Sequence, residues 1–218
     1  LLSLVNDILD FSKIEAGRLE LEKIDFNLYE TLEDAVTLIS MEAHKKGLEV
    51  VLSIAPSVPE VIQGDPVRLR QVIMNLLNNA IKFTKEGEIV ISSSLVKQSG
   101  SRCLLSFSVR DTGIGIPESR KSMLFNSFTQ ADSSITRKYG GTGLGLSISK
   151  KLVGLLGGEI GFKSIEGKGS IFSFTIKTET SSAVKGKLFS IGNFSGKIRI
   201  LLVDDNKTSR NQIKNYLE

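Results

Sequence analysis

The sequence predicts an α+β fold, because segments with helical periodicity and segments with strand alternation both occur along the chain. The strongest helical segment runs from Gly64 to Thr84 and is apolar over most of its circumference. Two strand-like segments, 88–96 and 102–110, are joined by a short turn at Ser99 and Gly100. A chain of 218 residues has room for one large domain or two small ones.

The first part of the chain opens with an amphipathic helix at 1–14, where Leu1, Val5, Ile8 and Phe11 recur at heptad-like spacing. A single helix of this length is marginal in water, so we expect it to pack against a partner helix. The next predicted elements are a strand at 19–26, a helix at 28–46, a strand at 48–54 and a loop at 56–64.

The helix between Gly64 and Thr84 begins at Asp65, a favourable N-cap, with Pro66 at the first helical position. Four polar side chains fall on one line along this helix: Gln71, Asn75, Asn79 and Lys82. They form either a solvated face or a stripe that lines a ligand. Because asparagine is a poor helix former, two of them in register favour the ligand-lining interpretation.

The second half of the chain completes this domain and begins another segment. Its predicted elements are strands at 88–96 and 102–110, a short helical stretch at 117–128, an aperiodic lid at 129–142, a helix at 143–156, and strands at 159–164 and 170–177. The segment 179–196, rich in Ser, Gly and Lys, is predicted to be a linker. A new strand at 197–205 and a helix at 208–218 follow.

Composition narrows the classes of protein. The net charge of +4 is mild and spread along the chain, so we expect no nucleic-acid partner. The single cysteine permits no internal disulfide and favours a reducing compartment, which predicts a cytoplasmic location. No apolar run is long enough to span a bilayer. The chain starts inside a predicted helix and without Met, so we expect it to be a piece of a longer protein.

Asp111 ends the strand whose odd positions face inward, so its carboxylate is expected at the mouth of the core, where it needs a donor. Gly113 and Gly115 let backbone approach a flat ligand closely, and the amino group of adenine is a suitable donor. A plain Asp-Thr-Gly turn is one alternative. An aspartic protease is another, but that chemistry needs two such carboxylates, and the chain offers one.

A glycine cluster opens the predicted helix at 143–156, and amide groups at a helix N-terminus favour anions. The cluster is not a dinucleotide fingerprint, because no strand precedes it, and it lacks the Gly-Lys-Ser/Thr of a P-loop. A flexible hinge is the alternative. Its candidate phosphate contacts are Gly141, Thr142, Gly143, Leu144 and Gly145. Arg137 and Lys138 lie just before it and either reach phosphate oxygens or solubilise the lid.

Together these blocks predict a nucleotide site, in which one carboxylate holds the base and one helix N-terminus holds the phosphates. Asn79, and with it Asn75, offers the hard oxygen atoms that Mg²⁺ accepts beside phosphate and water. Lys82 adds positive charge at the same end of the stripe.

Four blocks of the chain resemble, in the right order, the motifs of the catalytic domain of hybrid sensor histidine kinases. The run from Asn75 to Thr84 resembles the N box, 111–116 the G1 box, 125–128 the F box and 140–146 the G2 box. The resemblance implies a two-layer α/β sandwich with helices on one face of a mixed sheet. In that picture Phe125 and Phe128 anchor the lid, although core packing explains them equally well.

The resemblance also implies roles for individual residues. Asn79 would be the Mg²⁺ ligand, Asn75 and Lys82 would act near the phosphates of ATP, and Asp111 would bind the adenine amino group. Backbone contacts to ATP would come from the glycines of the two glycine-rich boxes: Gly113, Gly115, Gly141, Gly143 and Gly145. Similar ATPase domains that hydrolyse ATP carry a Glu base at the position of Asn75. Since an amide cannot take a proton from water, phosphoryl transfer is favoured over hydrolysis.

Transfer needs a phosphoacceptor histidine, and the chain has only His44, beside Lys45 and Lys46 at a predicted helix end. A cation there complements the helix dipole, and His44 lacks the acidic residue and proline that follow the family's acceptor. Residues 1–17 resemble the second helix of the dimerisation hairpin. The acceptor helix would then lie upstream, the longer protein would be a homodimer, and a membrane anchor in it would leave this domain on the cytoplasmic side.

The remaining boundaries follow from the same resemblance: 18–178 would be the catalytic ATP-binding domain, 179–196 a linker and 197–218 the start of a receiver domain. Asp204 and Asp205 would be the acidic pair that binds Mg²⁺ in an intact receiver; an acidic turn after a strand is the alternative. The family's receiver acceptor is not in this sequence. An ATP-sensing module that changes conformation without phosphotransfer remains the alternative function.

Overall fold

Strand alternation builds a single sheet whose inward residues are apolar. The structure, a computed structural model, describes residues 2–127, 143–181 and 200–217. The strands of the described residues are β1 (Ile24–Asn27), β2 (Leu48–Ile54), β3 (Val61–Gly64), β4 (Gly87–Ser99), β5 (Arg102–Asp111), β6 (Ile160–Ile165) and β7 (Gly169–Thr180). The helices are α1 (Leu2–Glu15), α2 (Leu28–Lys45), α3 (Pro66–Phe83), α4 (Glu118–Lys121), α5 (Gly145–Leu155) and α6 (Lys207–Leu217).

The sheet has the order β1-β3-β7-β5-β4-β2, and β6 pairs with the first half of β7. β2 runs parallel to β4, and the other pairs of strands are antiparallel. The sheet is therefore mixed, as the resemblance implies. In β5, Leu105, Phe107 and Val109 are buried, and the Phe107 ring stacks on Phe174 of β7 at 5.0 Å between centroids.

Three long helices, α2, α3 and α5, cover the apolar face of the sheet and form the second layer. α3 lies between the other two, and its apolar faces are buried: Leu69, Val72, Ile73, Leu76, Leu77, Ala80 and Ile81. This burial fixes the rotation of α3 about its axis, and with it the direction in which its polar stripe points. The predicted sandwich with helices on one face of a mixed sheet is confirmed for this part of the chain.

The two outer helices take different positions. α1 packs against α3 and α5, where the Arg68 guanidinium lies 3.0 Å from the Asp10 carboxylate. α6 lies on the opposite face of the sheet, where the Ser53 hydroxyl of β2 contacts Gln212. Ser53 alternates with core residues of β2 such as Leu52 and Ile54, so it points away from the core. No helix among the described residues combines the length and apolar character needed to cross a bilayer.

The structure corrects several predicted elements. Within its described residues, the predicted helical stretch at 117–128 is helical only at α4, and the first two residues of the predicted linker, 179–180, belong to β7. The first strand begins at Ile24 and not at residue 19, and the predicted loop at 56–64 contains β3. The predicted strand at 197–205 is wrong over its described part, because 200–206 is not extended in a sheet. An apolar run becomes a strand only when a neighbouring strand pairs with it, and Leu201 and Val203 are 89 % and 82 % exposed. Residues 197–199 and most of the predicted linker lie outside the described residues.

The predicted start of the central helix is confirmed. Asp65 is 4 % exposed, and its Oδ1 accepts a hydrogen bond from the Arg68 amide at 3.0 Å. Its Oδ2 accepts from the Glu22 amide at 3.1 Å, which ties the segment before β1 to the start of α3. One carboxylate thus serves as the helix cap and as a tertiary contact.

We expect Asp65→Ala to destabilise the chain by about 1–2 kcal/mol, because it removes the cap of α3 and leaves a second amide without an acceptor. Urea unfolding followed by circular dichroism measures the loss. The control is Asp34→Ala, which removes an exposed ion pair to Arg70 and should change stability by less than about 0.5 kcal/mol. Equal effects of the two substitutions would contradict the assigned role of Asp65.

Candidate functional site

The end of α3 is joined to the loop that follows β5. The Ile114 amide donates a hydrogen bond to the Phe83 carbonyl at 3.2 Å. A Cβ at Gly113 would lie 2.4 Å from that same carbonyl oxygen, so only glycine lets the loop approach this closely. Asn79 and Lys82 lie on the last turns of α3, and the structure therefore brings them to the same end of the molecule as Asp111.

Asp111 is the last residue of β5, and its side chain is buried, with 7 % exposure. Its Oδ1 accepts a hydrogen bond from the Gly113 amide at 2.8 Å. Burial raises the pKa of Asp111 above its ordinary value, although hydrogen bonds from the amides of Gly113 and Ser170 and the charge of Arg110 oppose the rise. The alternation of β5 predicted that Asp111 faces inward at the edge of the core, and this prediction is confirmed.

The glycines of this loop are required by close contacts within the chain. Gly115 has φ +66°, and a Cβ there would lie 2.1 Å from the Ile165 carbonyl oxygen. The Gly167 amide donates to the Ile114 carbonyl at 2.7 Å, which clamps the loop to the turn between β6 and β7. Gly169, which the sequence did not single out, has φ +106° and would place a Cβ 2.1 Å from the Asp111 carbonyl oxygen. The sequence offers one indication of this role, which is the position of Gly169 directly before the predicted strand at 170–177.

Asn75 links α3 to the beginning of α5. Its Nδ2 donates to the Ser149 hydroxyl at 2.8 Å, and a Cβ at Gly145 would lie 2.2 Å from its Oδ1. Ser149 is 1 % exposed and was missed by the sequence analysis. A hydroxyl on the buried face of a helix needs a partner inside the protein, and that rule could have drawn attention to it.

Asn79 and Lys82 are both half-buried. The Asn79 carboxamide makes no hydrogen bond to another residue within 2–127, 143–181 and 200–217. Burial lowers the pKa of Lys82, whose ammonium lies 5.0 Å from the centroid of the Phe83 ring. The neighbouring Asn78 is exposed, so the two adjacent asparagines differ in burial.

Gln71 lies at the other end of the polar stripe, and its side chain points toward α1 and not toward the Asp111 end of the helix. Its Nε2 donates to Asp10 of α1 at 2.8 Å, and its Oε1 accepts from Arg68 at 2.9 Å. The prediction of one continuous ligand-lining stripe is therefore wrong at this residue. Gln71 therefore lies outside the candidate site, to which α3 contributes Asn75, Asn79 and Lys82.

At the start of α5, Gly143 has φ +69° and Gly145 faces Asn75. The Leu144 side chain is buried in the core, with 2 % exposure, so only its backbone is available to a ligand. The remaining predicted site residues of this block lie outside the described residues: Arg137, Lys138, Gly141 and Thr142. Phe128 also lies outside them. Phe125 packs against Phe162, with 6.0 Å between ring centroids.

The other candidates lie elsewhere. Asp204 accepts hydrogen bonds from the Asn206 amide at 2.7 Å and the Ser209 hydroxyl at 2.9 Å, and Asp205 is exposed. Both precede α6 on the face of the sheet opposite α3. Within the described ranges, no group of three or more His, Cys, Asp or Glu side chains could hold a metal ion. His44 is exposed in the last turn of α2, as its helix-end interpretation expects.

Comparison with known proteins identifies the fold family. The sequence profile described as "Histidine kinase-, DNA gyrase B-, and HSP90-like ATPase" matches residues 64–180. The signal transduction histidine-protein kinase BarA of Shigella flexneri is 47 % identical over 209 residues, which cover 96 % of this chain and 23 % of BarA. The sensor protein GacS of Pseudomonas syringae pv. syringae is 44 % identical over 218 residues, covering 100 % of this chain and 24 % of GacS.

A solved structure supports the same assignment. The crystal structure of full-length ShkA in complex with AMPPNP matches with a TM-score of 0.72 and 35 % identity, covering 84 % of this chain and 36 % of ShkA. The chain spans about a quarter of the length of the curated relatives it matches. The profile match covers more than half of the chain and contains α3, the Asp111 loop and the start of α5. The chain thus belongs to the histidine kinase-, DNA gyrase B- and HSP90-like ATPase family.

Proposed function

We propose that this chain is the catalytic part of a hybrid sensor histidine kinase. It would bind Mg-ATP and transfer the γ-phosphoryl group to a histidine outside these residues, for relay to an aspartate on a receiver domain. The observation that carries the proposal is the position of α3, whose last turns adjoin the buried Asp111 while Asn75 reaches the first residue of α5. The names of the relatives BarA and GacS support the assignment to histidine kinases.

The residues fit a magnesium nucleotide. The buried Asp111 carboxylate would accept a hydrogen bond from the adenine amino group, beside the close-packed backbone at Gly113. The amides at the start of α5, with Gly143 and Gly145, would bind phosphate oxygens. Asn79, whose half-buried carboxamide has no partner among the described residues, would supply a Mg²⁺ ligand. When bound, the ion neutralises charge on the phosphates. Lys82 would add a cation beside them.

The environment of Asn75 favours transfer to a protein over hydrolysis. An amide cannot act as a general base at neutral pH, and the Asn75 carboxamide is already engaged by Ser149 and packed against Gly145. Asn75 would act by holding the phosphate-binding end of α5 at a fixed distance from α3. The nucleophile would then come from the acceptor histidine itself.

We also propose the wider arrangement from the same likeness. Residues 1–17 would be the second helix of a dimerisation hairpin in a homodimeric protein. Residues 18–180, which include the whole of β7, would be the catalytic domain, 181–196 a linker, and 197–218 the start of a receiver domain in which Asp204 and Asp205 bind Mg²⁺. The chain would work in the cytoplasm, where its single cysteine stays reduced.

The asparagine pair offers a sharp test of the Mg²⁺ site. Asn79→Ala should weaken Mg²⁺-dependent binding of a fluorescent ATP analogue by at least about tenfold and leave the unfolding midpoint unchanged. Titrations with and without Mg²⁺ measure the effect. The matched control is Asn78→Ala at the exposed neighbouring position, which should bind as the unaltered chain does. A drop in stability with unchanged affinity would mean that Asn79 is structural.

Asp111 predicts a pH dependence with a definite sign. Nucleotide affinity should fall as the pH is lowered through the raised pKa of Asp111, because the protonated carboxyl loses an acceptor. The contribution of this group to stability runs the other way, since a raised pKa in the folded state favours folding at low pH. Titration of the ATP analogue across pH measures the first effect, and Asp111→Asn should bind weakly at every pH. Full affinity in Asp111→Asn would contradict the adenine contact.

The assignment of the acceptor histidine can be tested on the chain itself. Incubated with labelled ATP, the 218-residue chain should gain no acid-labile phosphate, because His44, its one histidine, lacks the acidic residue and proline that follow the family's acceptor. A longer chain that includes the preceding helix should be labelled under the same conditions. Labelling of the 218-residue chain that disappears in His44→Gln would make His44 the acceptor and overturn this part of the proposal.

A further inference from the structure

The face of the sheet opposite α3 carries a polar cluster made of Glu49 and Ser53 of β2, Glu88 of β4 and Arg110 of β5; we call it the outer-face cluster. We propose that this cluster is the docking surface for the segment 204–212 of the same chain, and that docking there strengthens nucleotide binding at the Asp111 loop. The second half of the proposal rests on the proposed function, whereas the first half does not.

The contacts span two strands of the sheet and two turns of the helix. The Asn206 side-chain amide donates to the carboxylates of both Glu49 and Glu88, at 3.0 Å for Glu88. The Thr208 hydroxyl donates to Glu88 at 3.1 Å, and the Ser53 hydroxyl donates to Gln212 at 2.5 Å. These bonds join residues far apart in sequence, so they define a tertiary interface and not a local turn.

The start of α6 is preorganised for this contact. Asn206 Oδ1 accepts from the Ser209 amide at 2.8 Å and so caps α6, while its Nδ2 faces the sheet. Asp204 holds the same turn through the Asn206 amide and the Ser209 hydroxyl. One asparagine side chain thus caps the helix and binds two carboxylates without reorganising.

Glu88 depends on the docked segment for its hydrogen bonds. Its side chain is 17 % exposed, and it accepts from Asn206, Thr208 and Arg110. Burial alone would raise the pKa of Glu88, but these three donors outweigh burial and lower the pKa below its ordinary value. Without α6, the Glu88 carboxylate would keep Arg110 as its donor among the described residues. It would still lie opposite Glu49 on the neighbouring strand. Docking therefore relieves a close pair of acidic side chains on adjacent strands.

Two of the hydrogen bonds between the segment and the sheet come from one side of α6. Thr208 and Gln212 lie one turn apart on the same side of α6 and contact the sheet. Five large apolar residues on either side of the segment stay exposed: Ile200, Leu201, Val203, Ile213 and Leu217. The contact therefore leaves free the apolar surface that a receiver domain would need for its own core. Docking and folding of the proposed receiver domain are compatible.

Glu88 also adjoins the nucleotide loop through the backbone. The Glu88 amide donates to the Thr112 hydroxyl at 3.0 Å, and the Thr112 amide donates to the Glu88 carbonyl at 3.3 Å. Thr112 directly follows Asp111. A contact that fixes Glu88 therefore restrains the residue beside the adenine-binding carboxylate, which gives docking a short route to the nucleotide.

Cysteine crosslinking of the 218-residue chain tests the docking. The native Cys103 is buried, so Ser53→Cys with Gln212→Cys can be joined selectively by a short bismaleimide. We expect crosslinking within one chain, at least about fivefold faster than for Ser53→Cys with Lys214→Cys, which lies on the other side of α6. Asn206→Ala should slow the reaction about fivefold, and the exposed Asn211→Ala should not. Equal rates, or products of dimer mass, would overturn the docking.

Titration of the same variants with the fluorescent ATP analogue tests the coupling. Asn206→Ala should lower the affinity about two- to fivefold relative to Asn211→Ala, because it removes the hydrogen bonds from Asn206 to Glu49 and Glu88. Equal affinities would overturn the proposed coupling to nucleotide binding. The crosslinking experiment would still decide whether the segment docks on the sheet. If the unaltered chain bound no ATP analogue, the proposed function would fail, and the crosslinking would still decide whether the segment docks.

Discussion

The hydrogen bond between the Ile114 amide and the Phe83 carbonyl is the contact on which the candidate site depends. Phe83 is the last residue of α3, where carbonyl groups have no partner within the helix. The loop after β5 supplies a donor, and Gly113 keeps the space between the two backbones empty. The end of the helix and the buried Asp111 are thus fixed to each other by main-chain contacts, without an intervening side chain.

From that junction, α3 divides into three zones. Gln71 and Arg68 face α1, Asn75 faces α5, and Asn79 with Lys82 lies at the end next to the Asp111 loop. The rotation that produces this division is set by the buried apolar faces of the helix. The packing of the apolar residues of α3 therefore sets the direction in which each of its polar side chains points. This helix thus contacts α1 and α5 and adjoins the Asp111 loop.

Sequence periodicity predicted the parts of the fold that are long and strongly patterned. α3 with its Asp65 cap, the pair β4 and β5, and the burial of Asp111 all followed from local spacing. The short strand β3 was not predicted, because it has only four residues and follows a proline-containing loop. The prediction of a strand after residue 197 was wrong for a different reason. A strand needs a neighbouring strand to pair with, and the local sequence pattern does not reveal one. The sequence also did not predict the contact of Asn75 with Ser149 or that of Gln71 with Asp10, because both join segments that are distant in sequence.

The enclosure of Asn75 restricts how this chain can change over evolutionary time. Its Oδ1 already meets Gly145, where even a Cβ would collide, and its Nδ2 is held by Ser149. Glutamate is one methylene longer and has no N–H to give to that hydroxyl, so it would push the two helices apart before it could serve as a base. A single Asn75→Glu substitution would therefore not place a general base for ATP hydrolysis at this position, because Ser149 and Gly145 of α5 would have to change with it.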